Sequence, residues 1–324
     1  MNKDFFKGKK IDLTKFYPVF FTLIFVTILF QYSFSSLESI LYDARIKYDW
    51  GISNRDNIVL ITMDEESDQF LGETYPYTYT SHDKLIKRLL KDQPAVINYF
   101  INQNSPSSKR EEDALAKFKA TVSKFVQDGG DFRYGTDVDF WGEKIPPEEL
   151  LDLGYSPALL NIDNSIFAKD DVSRRAILNI SGEDTLHLWT ANKYRQRLGD
   201  PILDASSILG SYYLRESDAT FSLFRYYASP LESKGRIKRI PFHRVLVGNF
   251  PKGFFSNKII LLGPSYISNA SDYTLTPFNQ DEYKTSKLTI HAQIIQSLIQ
   301  NKTIYQIPRY VSYIIAALIA MFLS

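Results

Sequence analysis

Apolar residues follow three patterns along this chain. Long unbroken runs lie near both ends, short dense runs lie between them, and several stretches repeat at helical spacing. Residues 16–34 are apolar and uncharged. At about 1.5 Å per residue they suffice for a hydrocarbon core of roughly 30 Å, so the pattern predicts a transmembrane helix over 16–35. Residues 310–323 are also apolar and uncharged, and the sequence stops at Ser324. That is short of the roughly 20 residues a span needs, so 308–324 reads as the start of a second membrane helix in a chain cut within it.

Between these ends, 58–63 and 258–262 are short and almost wholly apolar, which suits strands covered on both faces, and 95–101 reads as another. Helical spacing predicts 36–50, with Leu37, Ile40, Leu41, Ala44 and Tyr48 on one face. It also predicts 83–91, N-capped by Ser81 and turning Leu85, Ile86, Leu89 and Leu90 inward. Further helices are expected over 111–126, with an apolar stripe of Leu115, Phe118, Val122 and Phe125, and over 183–198, closed by Gly199. The last, 288–300, places Ile290, Ile294, Ile295, Leu298 and Ile299 on one face, with Asn301 as its cap. Strands are expected over 176–180 and, from weak alternation, over 221–227 and 237–240. Residues 128–163 and 266–287 read as loops. Strand, helix and strand over 58–101 make a right-handed βαβ unit. The expected fold is α/β, with a central, mainly parallel sheet, flanking helices and a membrane helix at each end. Its sheet centre holds 58–63, 95–101 and 259–262.

Charge sets the direction of the first span. Lys3, Lys7, Lys9, Lys10 and Lys15 precede it against Asp4 and Asp12. Residues 1–15 therefore form a basic cytoplasmic tail, and 36–307 form an exported domain. No small-x-small cleavage site follows the run, which is also long for a signal-peptide core. With 324 residues, 44% of them hydrophobic, the chain can build a substantial core. A net charge of +1 gives no argument for nucleic acid. The absence of cysteine excludes disulfides, thiolate metal ligands and thiol nucleophiles.

Candidate chemistry gathers at the predicted strand ends. Asp64 ends the first strand, where open α/β sheets bind ligands, but it serves equally as a cap for whatever follows. His82 and His291 each lie near a helix start and read either as ligand-facing or as bonded to loop backbone. Arg174 and Arg175 follow Asp170 and Asp171, either gripping a carboxylate or forming a solvated turn with local ion pairs. Ser265, His291 and Asp272 spell a hydrolytic triad on paper, but Ser265 follows a proline and lacks the Gly-x-Ser-x-Gly elbow. Asp64, His82 and His291 have no metal-ligand spacing.

Several segments, in order, match one known family. Leu37-Glu38 with Tyr42-Asp43-Ala44-Arg45 is similar to its post-membrane helix, and 58–64 with Ser67 to its first strand and acidic turn. Tyr75-Pro76-Tyr77 with His82 and Leu85 is similar to its aromatic-Pro-aromatic segment. Asp170-Asp171-Val172-Ser173-Arg174-Arg175 looks like its Asp-Gly-Val-x-Arg-Arg turn. Residues 258–263, Asp272, Thr276-Pro277 and Ile290-His291-Ala292 complete the match. The chain resembles a CHASE2 domain, the exported sensory module of bacterial membrane receptors. Tyr77 stands where tryptophan is usual, Asn98 where aspartate is, and Asp171 where the turn has glycine.

The resemblance implies a sensor in the periplasm or outside the cell, held in the inner membrane of a bacterium. It further implies a homodimer that passes a small-molecule or envelope stimulus to a cytoplasmic output domain beyond Ser324: a nucleotide cyclase first, a kinase or diguanylate cyclase next. Ligand candidates are Asp64, Tyr75, Tyr77, His82, Asp272, Pro277 and His291. Candidates for signal transmission are Leu37, Tyr42, Asp43, Arg45, Ile294 and Leu298. No catalytic residue, metal, cofactor or nucleic-acid partner is expected. The alternatives are a non-sensing envelope module for dimerisation or docking and an exported hydrolase.

Overall fold

The three dense apolar runs lie side by side at the centre of one sheet, each buried on both faces. The computed structural model describes residues 17–31, 35–48, 56–139, 142–163, 170–227, 229–230 and 237–304, with 311, 314, 315 and 318. In chain order the elements are α1 (Tyr17–Gln31), α2 (Ser35–Lys47), β1 (Ile58–Met63), α3 (Glu65–Leu71), α4 (Tyr79–Leu89), β2 (Val96–Tyr99) and α5 (Lys109–Gln127). Then come β3 (Asp131–Asp139), β4 (Gly142–Lys144), β5 (Tyr155–Pro157), β6 (Arg175–Ile180), β7 (Glu183–Asp184), α6 (Leu186–Leu198), β8 (Tyr212–Leu214) and β9 (Ala219–Leu223). The last are β10 (Lys238–Pro241), α7 (Phe242–Val247), β11 (Ile259–Pro264), β12 (Tyr273–Thr274), β13 (Thr285–Ser286) and α8 (Lys287–Ile299).

The main sheet has seven strands and runs β10-β1-β11-β2-β3-β4, with β5 also on β3. All its pairings are parallel except that of β3 with β4. Ile58 faces Ile259 across one pair and Ile260 faces Ile97 across the next. Strand alternation sends Val59, Ile61, Ile97 and Ile260 to one face, under Leu85, Phe118 and Phe242 of α4, α5 and α7. Leu60, Val96 and Leu261 pack on the other, under Leu188 of α6 and Ile290 and Ile294 of α8. Residues 128–163, expected as loops, supply β3, β4 and β5. A second, four-stranded antiparallel sheet, β7-β6-β9-β8, forms from the weakly alternating middle of the chain.

The local detail differs in several places. The buried side of α2 carries Ser39, Tyr42, Asp43 and Ile46, whereas Ile40, Leu41 and Tyr48 of the apolar face picked out by the spacing are exposed. The Leu37 side chain lies outside the described residues. Helix α4 begins at Tyr79 and is capped by Thr78, not Ser81, whose backbone N–H donates to Thr78 Oγ1. A short helix, α3, follows β1 directly. Helix α8 is buried all round, because residues 225 and 227 receive its polar side: Arg225 N–H donates to Ser297 Oγ and Tyr227 N–H to Gln293 Oε1. Gln300 caps α8, and Asn301, at φ 49°, takes the left-handed position after it.

Helix α1 has 15 residues. Among the described residues no helix is long and apolar enough to cross a membrane. Residues 16 and 32–34 of the first expected span, and most of 308–324, lie outside the described residues.

The arginines of the turn before β6 are buried, although Asp171 is exposed. Arg174 is 1% exposed and donates to Asp43 of α2 through Nε and Nη2, both at 2.7 Å. It also donates to Asp170 at 2.8 and 2.7 Å and to Asp163 at 3.1 Å. Arg175 donates to Asp163 at 2.5 Å, and Gln280 Nε2 to Asp43 at 2.6 Å. Burial opposes the charge on Arg174, but the hydrogen bonds and charges of Asp43 and Asp170 outweigh it and keep the guanidinium ionised. Beside it, Tyr42 Oη donates to the Phe224 carbonyl at 2.6 Å. Removing one member of a buried ion cluster strands the others. Arg174→Met is therefore expected to cost about 3–5 kcal/mol in chemical denaturation and to expose α2 to limited proteolysis. An unchanged denaturation midpoint would show that the cluster contributes nothing to holding α2.

Candidate functional site

The C-terminal ends of β11 and β2 are neighbours, yet their chains leave in opposite directions. β11 leads to α8 on one face of the sheet and β2 leads to α5 on the other. Such a divergence opens a crevice in a parallel sheet. A cavity of about 590 Å³ occupies it. β2 supplies Phe100 and Asn102 from its exit, and β3 contributes Gly135 and Thr136. The loop after β11 provides Tyr266 and Asp272, α3 provides Asp68, and the first turns of α8 provide Lys287 and His291.

These side chains hold one another in place. Asp272 is buried and accepts from Tyr266 N–H at 2.9 Å and Asn269 Nδ2 at 3.0 Å, which closes the loop on itself. Burial raises its pKa. Asp68 Oδ1 accepts from Tyr77 Oη at 2.6 Å and Tyr266 Oη at 2.7 Å. Tyr75 Oη accepts from Asn102 N–H at 3.1 Å.

Two histidines lie beneath the cavity. His187 of α6 and His291 of α8 stack with ring centroids 5.0 Å apart, and His187 Nε2 lies 2.7 Å from His291 Nδ1. Phe100 covers His291 at 4.2 Å. Burial drives the His187 pKa down to about 3, and burial together with His187 and Lys287 drives that of His291 well below its ordinary value. Both rings are neutral, so one proton lies between them. His187 Nδ1 is buried without a hydrogen-bond partner. A bare acceptor there is less costly than an orphaned N–H. His187 therefore donates from Nε2, and His291 carries its own proton on Nε2, which has no protein partner among the described residues.

The sequence matches the CHASE2 domain family over residues 21–324. The chain belongs to the CHASE2 family. CHASE2 domains are extracytoplasmic sensory domains. Comparison with curated proteins and with solved structures returned no match.

Of the residues singled out in this CHASE2 chain, Tyr75, Asp272 and His291 line the cavity. The others lie elsewhere. Asp64 caps α3, accepting from Ser67 N–H and Thr62 Oγ1, both at 2.9 Å. Tyr77 packs against Phe242 and reaches the site only through its bond to Asp68. His82 is fully buried, with Nε2 donating to the Pro76 carbonyl at 2.8 Å, and burial lowers its pKa to about 4. Pro277 is buried in the turn between β12 and β13. Among the transmission candidates, Tyr42 and Asp43 join the Arg174 cluster, Arg45 is exposed, and Ile294 and Leu298 are in the core. Asp68, Asn102, His187, Tyr266 and Lys287 escaped the sequence reading. Only the four-residue spacing of Lys287 and His291 could have flagged one of them.

No hydrolytic triad assembles in the CHASE2 cavity. Ser265 makes a backbone bond to Met63, and His291 Nδ1 is taken by His187. Ser67 Oγ lies 3.0 Å from His243 Nδ1, and His243 Nε2 lies 3.5 Å from Glu66, but Ser67 is wholly buried and closed to substrate. Among the described residues no group of three or more His, Asp or Glu side chains could hold a metal ion.

The buried histidines make stability depend on pH. Their folded pKa values lie below the unfolded value of about 6.5. Below that pH the unfolded chain takes up protons that the folded one refuses, so stability present above about pH 6.5 is lost on acidification toward the folded values. Each of His82, His187 and His291 is expected to contribute up to about 1.4 kcal/mol per pH unit over this range. Denaturation midpoints between pH 7 and 5 check this, with His187→Phe expected to flatten the slope.

Proposed function

We propose that this CHASE2 chain is the exported sensor of a bacterial inner-membrane receptor, with the cavity between β11 and β2 as its stimulus site. In this reading the apolar runs at 16–35 and 308–324 anchor the domain on the outer side of the membrane. A homodimer then relays the stimulus to a cytoplasmic output domain, a nucleotide cyclase first and a kinase or diguanylate cyclase next. The observation that carries the reading is where α8 lies. Its first turns form one wall of the cavity, and its far end leads toward the second apolar run. Arg195 of α6 donates to the Ile299 carbonyl at 2.6 Å and ties that end to the neighbouring helix. Helix α2, which follows the first apolar run, is clasped to the domain by Arg174.

The cavity is polar along much of its wall and is not filled by the domain's own aromatics. This favours sensing over a purely structural role. A ligand shifts such a module only by binding its two states with different affinity.

The chain has no cysteine, so two can be introduced cleanly for spin labels. Arg45→Cys and Lys302→Cys place labels at exposed positions near the C-terminus of α2 and just after α8. A ligand that binds is expected to change the distance between the labels, measured by pulsed electron resonance. Ser271→Trp, at the exposed cavity rim, is expected to abolish both binding and the change. Tight binding with no change in distance would leave the domain a binding module without relay.

A further inference from the structure

Most polar groups around the cavity are already satisfied. Both Asp272 oxygens are used within the loop. Asn269 Oδ1 is used by Ser271. Asp137 and Lys144, at the far lip, have interactions of their own. What is left divides by sign. At the start of α8, Lys287 makes no salt bridge within 4 Å among the described residues, although its charge acts on the buried Asp272, and His291, its Nδ1 taken by His187, lines the cavity four residues on. The Ser286 side chain does not cap the helix, so its first N–H groups add positive potential on the same side. His291 is only 7% exposed, so an acceptor that reaches it is largely stripped of water.

Asp68 differs from Asp272 in having an oxygen left over. The tyrosine hydroxyls of residues 77 and 266 both donate to its Oδ1, and its Oδ2 has no hydrogen bond among the described residues. Tyr75 Oη already accepts from Asn102 N–H, so its own proton is free to donate. The cavity thus offers one cation outside any salt bridge, backed by a neutral donor, and one carboxylate with an open oxygen. A neutral ligand leaves both charges unanswered. A ligand with two negative groups brings one of them against Asp68.

We propose that the cavity takes a small zwitterion of the amino-acid type, its carboxylate held by Lys287 and His291 and its ammonium by Asp68. The ligand's side chain then lies against Phe100 and Tyr75. Charge-assisted bonds at both ends give selection by class, since a compound lacking either group leaves a charged residue unpaired. This rests on the sensor reading and narrows it.

The test uses the full chain in nanodiscs and calorimetric titration with the twenty L-amino acids. Each binder is matched by its analogue lacking the amino group and its analogue lacking the carboxylate. A small-metabolite extract of a bacterial culture is screened in parallel by native mass spectrometry. At least one amino acid is expected to bind, and both analogues at least tenfold more weakly. Lys287→Met and Asp68→Asn are each expected to weaken it at least tenfold, with ligand-free melting curves that confirm folding. Equal binding of an analogue, or binding unaffected by both substitutions, overturns the zwitterion assignment. A different compound bound from the extract, with no amino acid binding, overturns the assignment and leaves the sensor reading standing. No ligand from either source overturns both.

Discussion

The guanidinium of Arg174 joins α2 to the segment before β6, beside the apolar contact that α2 makes with the core through Tyr42 and Ile46. Its five donors fan out to carboxylates from α2 and from the segment before β6, and Arg175 takes up the remaining charge on Asp163. Water would satisfy these groups more simply. Inside the protein the arrangement is stable only when all members are present and correctly placed. The cluster therefore fixes the position of α2 more strictly than apolar contact would, because an aliphatic face tolerates a sliding partner and a two-pronged guanidinium–carboxylate pair does not. The second sheet, the Tyr42 contact with Phe224 and the Gln280 loop all converge on this point.

The cavity depends on a different constraint, the routing of the chain. β11, the last of these strands in sequence, is inserted between β1 and β2, and its chain leaves toward the face opposite the α4–α5 layer. That divergence leaves an opening at the strand ends that short loops do not close. Gly263 shows how tightly the rim is drawn: a Cβ there would lie 3.1 Å from Leu288 and 3.2 Å from Phe100. The same close approach brings α8 near enough for Lys287 and His291 to line the site.

Legibility followed burial geometry. Strands β1, β2 and β11 stood out because both their faces are covered and their residues are uniformly apolar. The stripe of α5 was readable because only one side of that helix is buried. Helix α2 misled because its inward face uses a tyrosine and an aspartate whose partners lie far off: Arg174 is 131 residues from Asp43. The same distance made Arg174 look like a surface residue next to local acids. Tyr75, Asp272 and His291 could be found from strand ends and helix starts. Asp68 could not, because α3 is too short to carry a periodic signal, and His187 sits within an otherwise unremarkable helix.

Helix α8 has no flank turned to solvent. Rolling it about its axis would tear Gln293 from Tyr227 and Ser297 from Arg225 and drive amides into hydrocarbon. Sliding it lengthwise would break the same two bonds, because residues 225 and 227 do not belong to α6 and would not travel with it. The helix is keyed to its surroundings in rotation and in translation alike, so it can move only with the strand-end segment that grips it.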